Sequence, residues 1–187
     1  MQSAAQTQVK VWDPLVRIGH WALVASVALA WITKEGGGGW HERLGYAALV
    51  IVAVRIGWGC VGPHYARFAQ FVRSPAATLI YGKCVLAGSE PRYIGHNPLG
   101  GWMIVFLLVS IILVGVSGWL YTTDAYWGVE WVGKLHAVLS NALLVLVALH
   151  VGGVALASYR HGENLVAAML HGRKRTDVAT QDKQRVL

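Results

Sequence analysis

Four long runs of hydrophobic residues, separated by polar stretches, dominate the chain: Leu15 to Thr33, His41 to Val61, Pro98 to Tyr121 and Trp131 to Tyr159. A helix needs about 20 apolar residues to cross roughly 30 Å of hydrocarbon, and each run is long enough. The longest stretch between them, Gly62 to Asn97, is too short and too polar to build a core of its own. The pattern therefore predicts an all-α, integral membrane four-helix bundle. Residues 1–187 are expected to form a single membrane domain with spans at 15–33, 41–61, 98–121 and 131–159, followed by a basic C-terminal tail at 160–187.

Composition agrees. Hydrophobic residues make up 55% of the chain and charged ones 13%, and the mean hydropathy is +0.47, outside the range of an ordinary soluble domain. A net charge of +7 raises the question of nucleic acid, but the location of the basic residues points to membrane topology instead. Lys10 and Arg17 stand at the first span, Arg67, Arg73, Lys83 and Arg92 lie between the second and third, and Arg160, Arg173, Lys174, Arg175, Lys183 and Arg185 follow the fourth. In the other two loops Lys34, Arg43 and Lys134 are offset by Glu35, Glu42, Asp124 and Glu130. The positive-inside rule then puts both termini and the long central loop in the cytoplasm, and no nucleic-acid partner is expected. Trp40, Tyr121, Tyr126, Trp127 and Trp131 cluster at the opposite ends of the spans, where amphipathic rings favour the headgroup layer.

Ala28-Leu29-Ala30 resembles a signal-peptidase site. Cleavage there would strand the second span in the wrong orientation and discard His20, so the first run reads as a retained span. The two cysteines, Cys60 and Cys84, belong to no C-x-x-C or C-x-x-C-H pattern, which excludes zinc ribbons, iron–sulfur clusters and covalently attached haem. Both are expected to be packing residues on the reducing side of the membrane.

Ionisable groups inside a span are costly and are expected to have a partner or ligand. Of eight histidines, four lie within or at the edge of spans: His20, His41, His136 and His150. His136 and His150 are fourteen residues apart on one helix, roughly 21 Å along the axis and only about 40° around it. That spacing suits two stacked cofactors, one near each surface, and is too long for one metal. A partner is then needed at each level. His41 begins its span on the outer side, at the depth of His136, and His20 lies near the depth of His150, so the expected pairs are His41 with His136 and His20 with His150. Histidine pairs of this kind fill both axial positions of haem iron, leaving no open site and favouring outer-sphere electron transfer, and a four-helix bundle is a natural holder for two such haems.

Arg55, fourteen residues beyond His41 on the same face, is a candidate partner for a haem propionate, and Arg17 is a second; a snorkelling arginine is the alternative for Arg55. Gly45, Gly115 and Gly118 would admit either a macrocycle or a closely packed helix. His64 reads as a solvated loop residue and His171 as part of a basic tail near anionic headgroups. His96, Asn97 and His161 flank the inner end of the bundle, where a quinone headgroup could find hydrogen-bond donors; capping or interface packing is the competing reading.

The residues also resemble a known family. Val11-Trp12-Asp13-Pro14 with Arg17 and His20-Trp21, then His41 with Leu44-Gly45, Arg55 and Trp58-Gly59, follow the order seen in the bacterial cytochrome b561 and nickel-iron hydrogenase b-type cytochrome family. Arg67-Phe68, Arg73-Ser74-Pro75, Gly95-His96-Asn97-Pro98-Leu99-Gly100, His136, His150 and His161-Gly162-Glu163-Asn164-Leu165, with Met169 and Gly172-Arg173-Lys174, continue it. The resemblance implies a subunit of the bacterial cytoplasmic (inner) membrane that carries two haem b groups on His20, His41, His136 and His150. Its implied role is to exchange electrons between the quinone pool and a redox partner on the outer face. The longer hydrogenase subunits have a fifth span that is not seen here, so a small periplasmic c-type cytochrome is the expected partner. Two other readings compete: a superoxide oxidase passing electrons to quinone, which would favour a cationic outer funnel, and an anchor subunit of a hydrogenase-like complex. A cofactor-free anchor would leave four membrane histidines without ligands.

Overall fold

The computed structural model describes residues 7–36 and 39–176. Four long helices carry the apolar runs: α1 (Pro14–Ile32), α2 (Trp40–Val61), then, after the central loop, Pro98–Tyr121 and Glu130–His161. Their bounds fall within two residues of those expected from hydropathy, and each is long and apolar enough to cross a membrane. The chain is thus a multi-pass, all-α membrane protein. In the central loop come a 3₁₀ turn (His64–Ala66), α3 (Phe68–Phe71) and α4 (Pro75–Leu86); the two long helices that follow are α5 and α6, and α7 spans Leu165–His171.

A repeated local device starts these helices. Asp13 Oδ1 accepts from the Leu15 and Val16 amides at 3.0 and 3.2 Å, Ser74 Oγ from Ala77 at 3.3 Å, and Asn97 Oδ1 from Gly100 at 2.7 Å. In each case the next residue is proline, which has no amide hydrogen to satisfy at the first helical position and a pre-set φ. Each such cap contributes about 1 kcal/mol. Asn164 Oδ1 caps α7 through Ala167 at 2.9 Å, and the helix stops at Gly172, whose φ of 82° lies in the left-handed region.

The residues fall into two compact units. One comprises Ile18–Trp58 and Met103–His150, the greater part of the four long helices. Its buried residues include Ala48, Val52, Leu108, Ile111, Val132 and Leu143, together with two serines, Ser26 and Ser117. Many of its other large apolar side chains are exposed, Val50, Phe106, Val138 and Leu149 among them, as lipid-facing residues must be. The aromatic residues expected at the headgroup layer, Trp40, Tyr121, Tyr126, Trp127 and Trp131, are exposed as well.

The other unit gathers, among the described residues, 7–17, Gly59–Trp102 and 151–176. Here the stretch Gly62 to Asn97, too polar to form a core by itself, gains one by pooling with segments from both ends of the chain. Val11, Trp12 and Ile94 form a buried cluster against Val9, Tyr65 and Met169. A short antiparallel ladder joins β1 (Thr7–Lys10) to β2 (Arg173–Thr176), Lys10 opposite Arg173. It is the one departure from all-α structure among the described residues, and it continues into Val11 and Trp12 amides that donate to the Gly172 carbonyl at 2.9 and 3.1 Å.

The described part of the basic segment after the fourth span forms the end of α6, α7 and β2; Lys183 and Arg185 lie outside the described residues. Glu163 is buried there. It accepts from Arg92 Nη2 at 3.2 Å and the Arg175 amide at 2.9 Å, with Lys174 Nζ at 3.6 Å. Burial lowers the Lys174 ammonium pKa, and the nearby Glu163 carboxylate opposes that shift. One expectation needs correcting: Cys60 is exposed rather than packed, because it sits on an outward face of α2, while Cys84 is half-buried; both are free thiols.

Candidate functional site

His41 opens α2 and His136 lies in the second turn of α6, and the fold brings their rings together. The centroids are 5.9 Å apart and the planes meet at 83°. An imidazole nitrogen binds a metal at about 2 Å and stands about 1 Å out from its ring centre, so two imidazoles on opposite faces of one iron would have centres about 6 Å apart. The pair fits a bis-imidazole haem site by that measure.

The second ring nitrogens are also committed in the way a ligand pair requires. His41 Nδ1 lies 2.8 Å from the Ala30 carbonyl, near the end of α1. His136 Nδ1 lies 3.1 Å from both Ser117 Oγ and the Val114 carbonyl on α5. A carbonyl can only accept, so each Nδ1 carries the proton and donates it, leaving the Nε2 lone pair for a metal. Gly118 lets the His136 ring lie flush on α5: a Cβ at that position would come within 3.0 Å of Cε1. Gly115 serves helix packing, since a Cβ there would meet Leu49 at 2.5 Å, whereas one at Gly45 would meet nothing within 4 Å.

His20 and His150 are half-buried in α1 and α6. Their setting differs from that of the first pair. His20 Nδ1 is buried without a hydrogen-bond partner, and the ring packs edge-on against Trp21 with centroids 5.0 Å apart. An orphaned nitrogen of this kind is costly in an apolar span, and the ring lacks the second hydrogen bond that orients His41 and His136. Among the described residues no group of three or more His, Cys, Asp or Glu side chains could hold a bare metal ion.

The two arginines differ in what they touch. The Arg17 guanidinium donates to the Leu170 carbonyl and lies against Gly172, tying the start of α1 to the end of α7. Arg55 is half-buried on α2.

His96, Asn97 and His161 have three separate sets of neighbours. His96 is held between Trp12 and Phe71, with ring centroids 4.5 and 4.7 Å away. Asn97 caps α5 and bonds the Tyr81 hydroxyl. Burial, with Glu90 and Tyr93 nearby, pushes that hydroxyl up to about 12. His161 closes α6 near Glu90, whose carboxyl is held below its ordinary range first by the hydrogen bond from Arg160, at 3.0 Å. His64 and His171 are exposed.

Sequence reasoning passed over Ser117 and the Ala30 carbonyl. A serine in the most apolar of the four spans, where hydropathy reaches 2.6 and Ser110 is the other serine, was the available signal for the first; a backbone carbonyl leaves none.

Comparison with known proteins gives a consistent set of similarities. A sequence profile described as prokaryotic cytochrome b561 matches residues 11–172. The chain is similar to a probable Ni/Fe-hydrogenase B-type cytochrome subunit of Azotobacter vinelandii, at 25% identity over 160 residues covering 70% of this chain and 66% of that protein. It is also similar to a probable Ni/Fe-hydrogenase B-type cytochrome subunit of Azotobacter chroococcum mcd 1, at 23% identity over 214 residues covering 89% of this chain and 88% of the relative. No solved structure matches the chain.

Proposed function

The chain belongs to the prokaryotic cytochrome b561 family, a family of haem-b electron-transport proteins of the membrane, and from that premise we propose that it is a two-haem cytochrome b linking the quinone pool to a periplasmic redox partner. In this reading His41 and His136 hold the haem near the outer surface and His20 and His150 hold the one near the cytoplasm. The observation that carries it is the His41–His136 pair, 5.9 Å between ring centres with both Nδ1 groups already donating.

Haem held by two imidazoles supplies reversible one-electron transfer with no open coordination site. The protein's own residues do the rest. Ala30, Val114 and Ser117 fix the tautomer and aim of the outer imidazoles. Arg55 and Arg17 are the basic groups proposed for the propionates, Arg17 while it bonds the Leu170 carbonyl. His96, Asn97 and His161 are the residues proposed to meet a quinone headgroup.

Orientation rests on charge. The central loop and the segment after α6 hold most of the basic residues, so both termini are assigned to the cytoplasm and the protein to the bacterial inner membrane. The outer partner we propose is a small periplasmic c-type cytochrome, which a haem held by His41 and His136 near the outer surface could meet. The names of the two similar proteins favour a second reading, in which the partner is a hydrogenase. A superoxide-oxidising role gains no support: of three outer cations, Lys34 pairs with Glu35 at 3.9 Å and Lys134 with Glu130 at 2.6 Å, leaving Arg43 over the Trp40 ring, which is not a cationic funnel.

A reduced-minus-oxidised spectrum of the purified chain, with haem counted per polypeptide and a water-soluble quinol added as reductant, tests the proposal. Two low-spin b-type haems reduced by the quinol are expected. A single haem, or two that the quinol cannot reduce, would contradict it.

A further inference from the structure

Ser117 is 3% exposed, within a span, on the face of α5 that meets His136. A hydroxyl has one proton to give and two lone pairs to offer. Its oxygen is 2.9 Å from the Val114 carbonyl, three residues back along the helix, and that carbonyl can only accept, so the proton goes there. The lone pairs of Ser117 Oγ are thereby left for His136 Nδ1 at 3.1 Å, where the Val114 carbonyl supplies a second acceptor at the same distance. Two acceptors at one ring nitrogen hold the proton on Nδ1. They also pull electron density toward Nε2, making it a stronger donor to a metal. Gly118, immediately after Ser117, removes the side chain that would push the ring away. Val114, Ser117 and Gly118 thus form one turn of α5 on which the imidazole is seated.

We propose that Ser117 is a positioning residue that sets the reduction potential of the His41–His136 site, holding His136 in its Nδ1–H form and stabilising the oxidised, more positive iron. The inference rests on the reading of His136 as a haem ligand. Back-bonding to Val114 by itself would be an ordinary structural habit of serine in membrane helices; that role would alter thermal stability and leave the potential where it was.

Potentiometric titration of the haem-loaded, full-length protein in detergent separates the two. In S117A one of the two haem components should become easier to reduce by about tenfold in its reduction equilibrium, 59 mV for one electron, while the other stays put. S117T, which keeps the hydroxyl, should return toward the parent value, and S117C, with a weaker acceptor, should fall between. Both midpoints unchanged in S117A would overturn the proposal. If S117A fails to retain haem, the S117T and S117C pair decides: a difference confined to one component supports the role, and coincident midpoints reject it. An H136A variant that keeps both haems would instead sink the ligand reading, whereas an H136A variant that loses one haem, together with flat Ser117 titrations, would sink this inference alone.

Discussion

His41 and His20 are both half-buried imidazoles on adjacent spans, yet the protein holds them differently. The first donates to the Ala30 carbonyl at 2.8 Å, and its partner His136 is seated on Ser117 and Val114; the second has a buried Nδ1 with no hydrogen-bond partner. Chemically identical ligands can therefore differ in donor strength, because the hydrogen bond at one ring nitrogen changes the basicity of the other. A better donor stabilises the oxidised metal, so in the proposed two-haem reading the contrast would give the two haems different potentials. The His41–His136 site is expected to be the lower of the two, and the difference would favour electron occupancy at the level nearer the cytoplasm.

The largest effect expected from this contrast is on haem content at the less anchored level. H20A and H150A should each remove the same haem and leave the other, which a pyridine haemochrome assay and the residual absorption band would show. Loss of different haems in the two variants would break the pairing. The haem that survives both should be the low-potential component, and finding it to be the high-potential one would reverse the comparison.

A smaller effect is expected at the seat of His136. In G118A the added methyl meets the ring at 3.0 Å, and overpacking of this kind costs about 1–3 kcal/mol. Thermal release of the outer haem should come earlier than in the parent, with the inner haem released as before. G45A adds a methyl with no atom within 4 Å and replaces a glycine inside a helix, so apoprotein stability should not fall; a selective loss of haem in that variant would identify Gly45 as a residue facing the macrocycle.

Much of this arrangement was legible in the sequence because the bilayer imposes strong one-dimensional constraints. Spans show as apolar runs, and Asp13-Pro14, Ser74-Pro75 and Asn97-Pro98 announce helix starts. The fourteen-residue interval between His136 and His150 reports depth directly, since rise per residue is fixed. What stayed hidden depends on contacts between distant segments. Nothing local in Thr7–Lys10 or Arg173–Thr176 says that they pair. Nor does the stretch around Glu163 reveal that a loop arginine, Arg92, reaches it across 71 positions. The role of Ser117 is of the same kind: its hydroxyl matters only because α6 brings His136 to within 3.1 Å. Cys60 was misjudged because hydropathy cannot separate a lipid-facing side of a span from a helix-facing one.

The smallest expected effect lies outside the spans and serves as a control. Glu90 has a carboxyl pKa depressed by the hydrogen bond from Arg160. A carboxylate whose folded pKa is lowered contributes its stability above the ordinary value of 4.5 and loses it as pH falls through the folded value. Acidification to below that ordinary value should therefore loosen the α4–α6 connection, seen as faster proteolysis after Leu86, and E90Q should abolish that pH dependence. Neither haem should be lost over the same range while the spans stay folded.

The most direct test of the central claim is the haem-to-polypeptide ratio of the purified chain beside H41A, H136A and the double variant H41A/H136A, with the potential of each remaining component recorded. Two haems are expected in the parent and one in every variant, the survivor being the same higher-potential component in all three. A double variant that loses both haems while each single variant loses a different one would show that His41 and His136 do not share an iron.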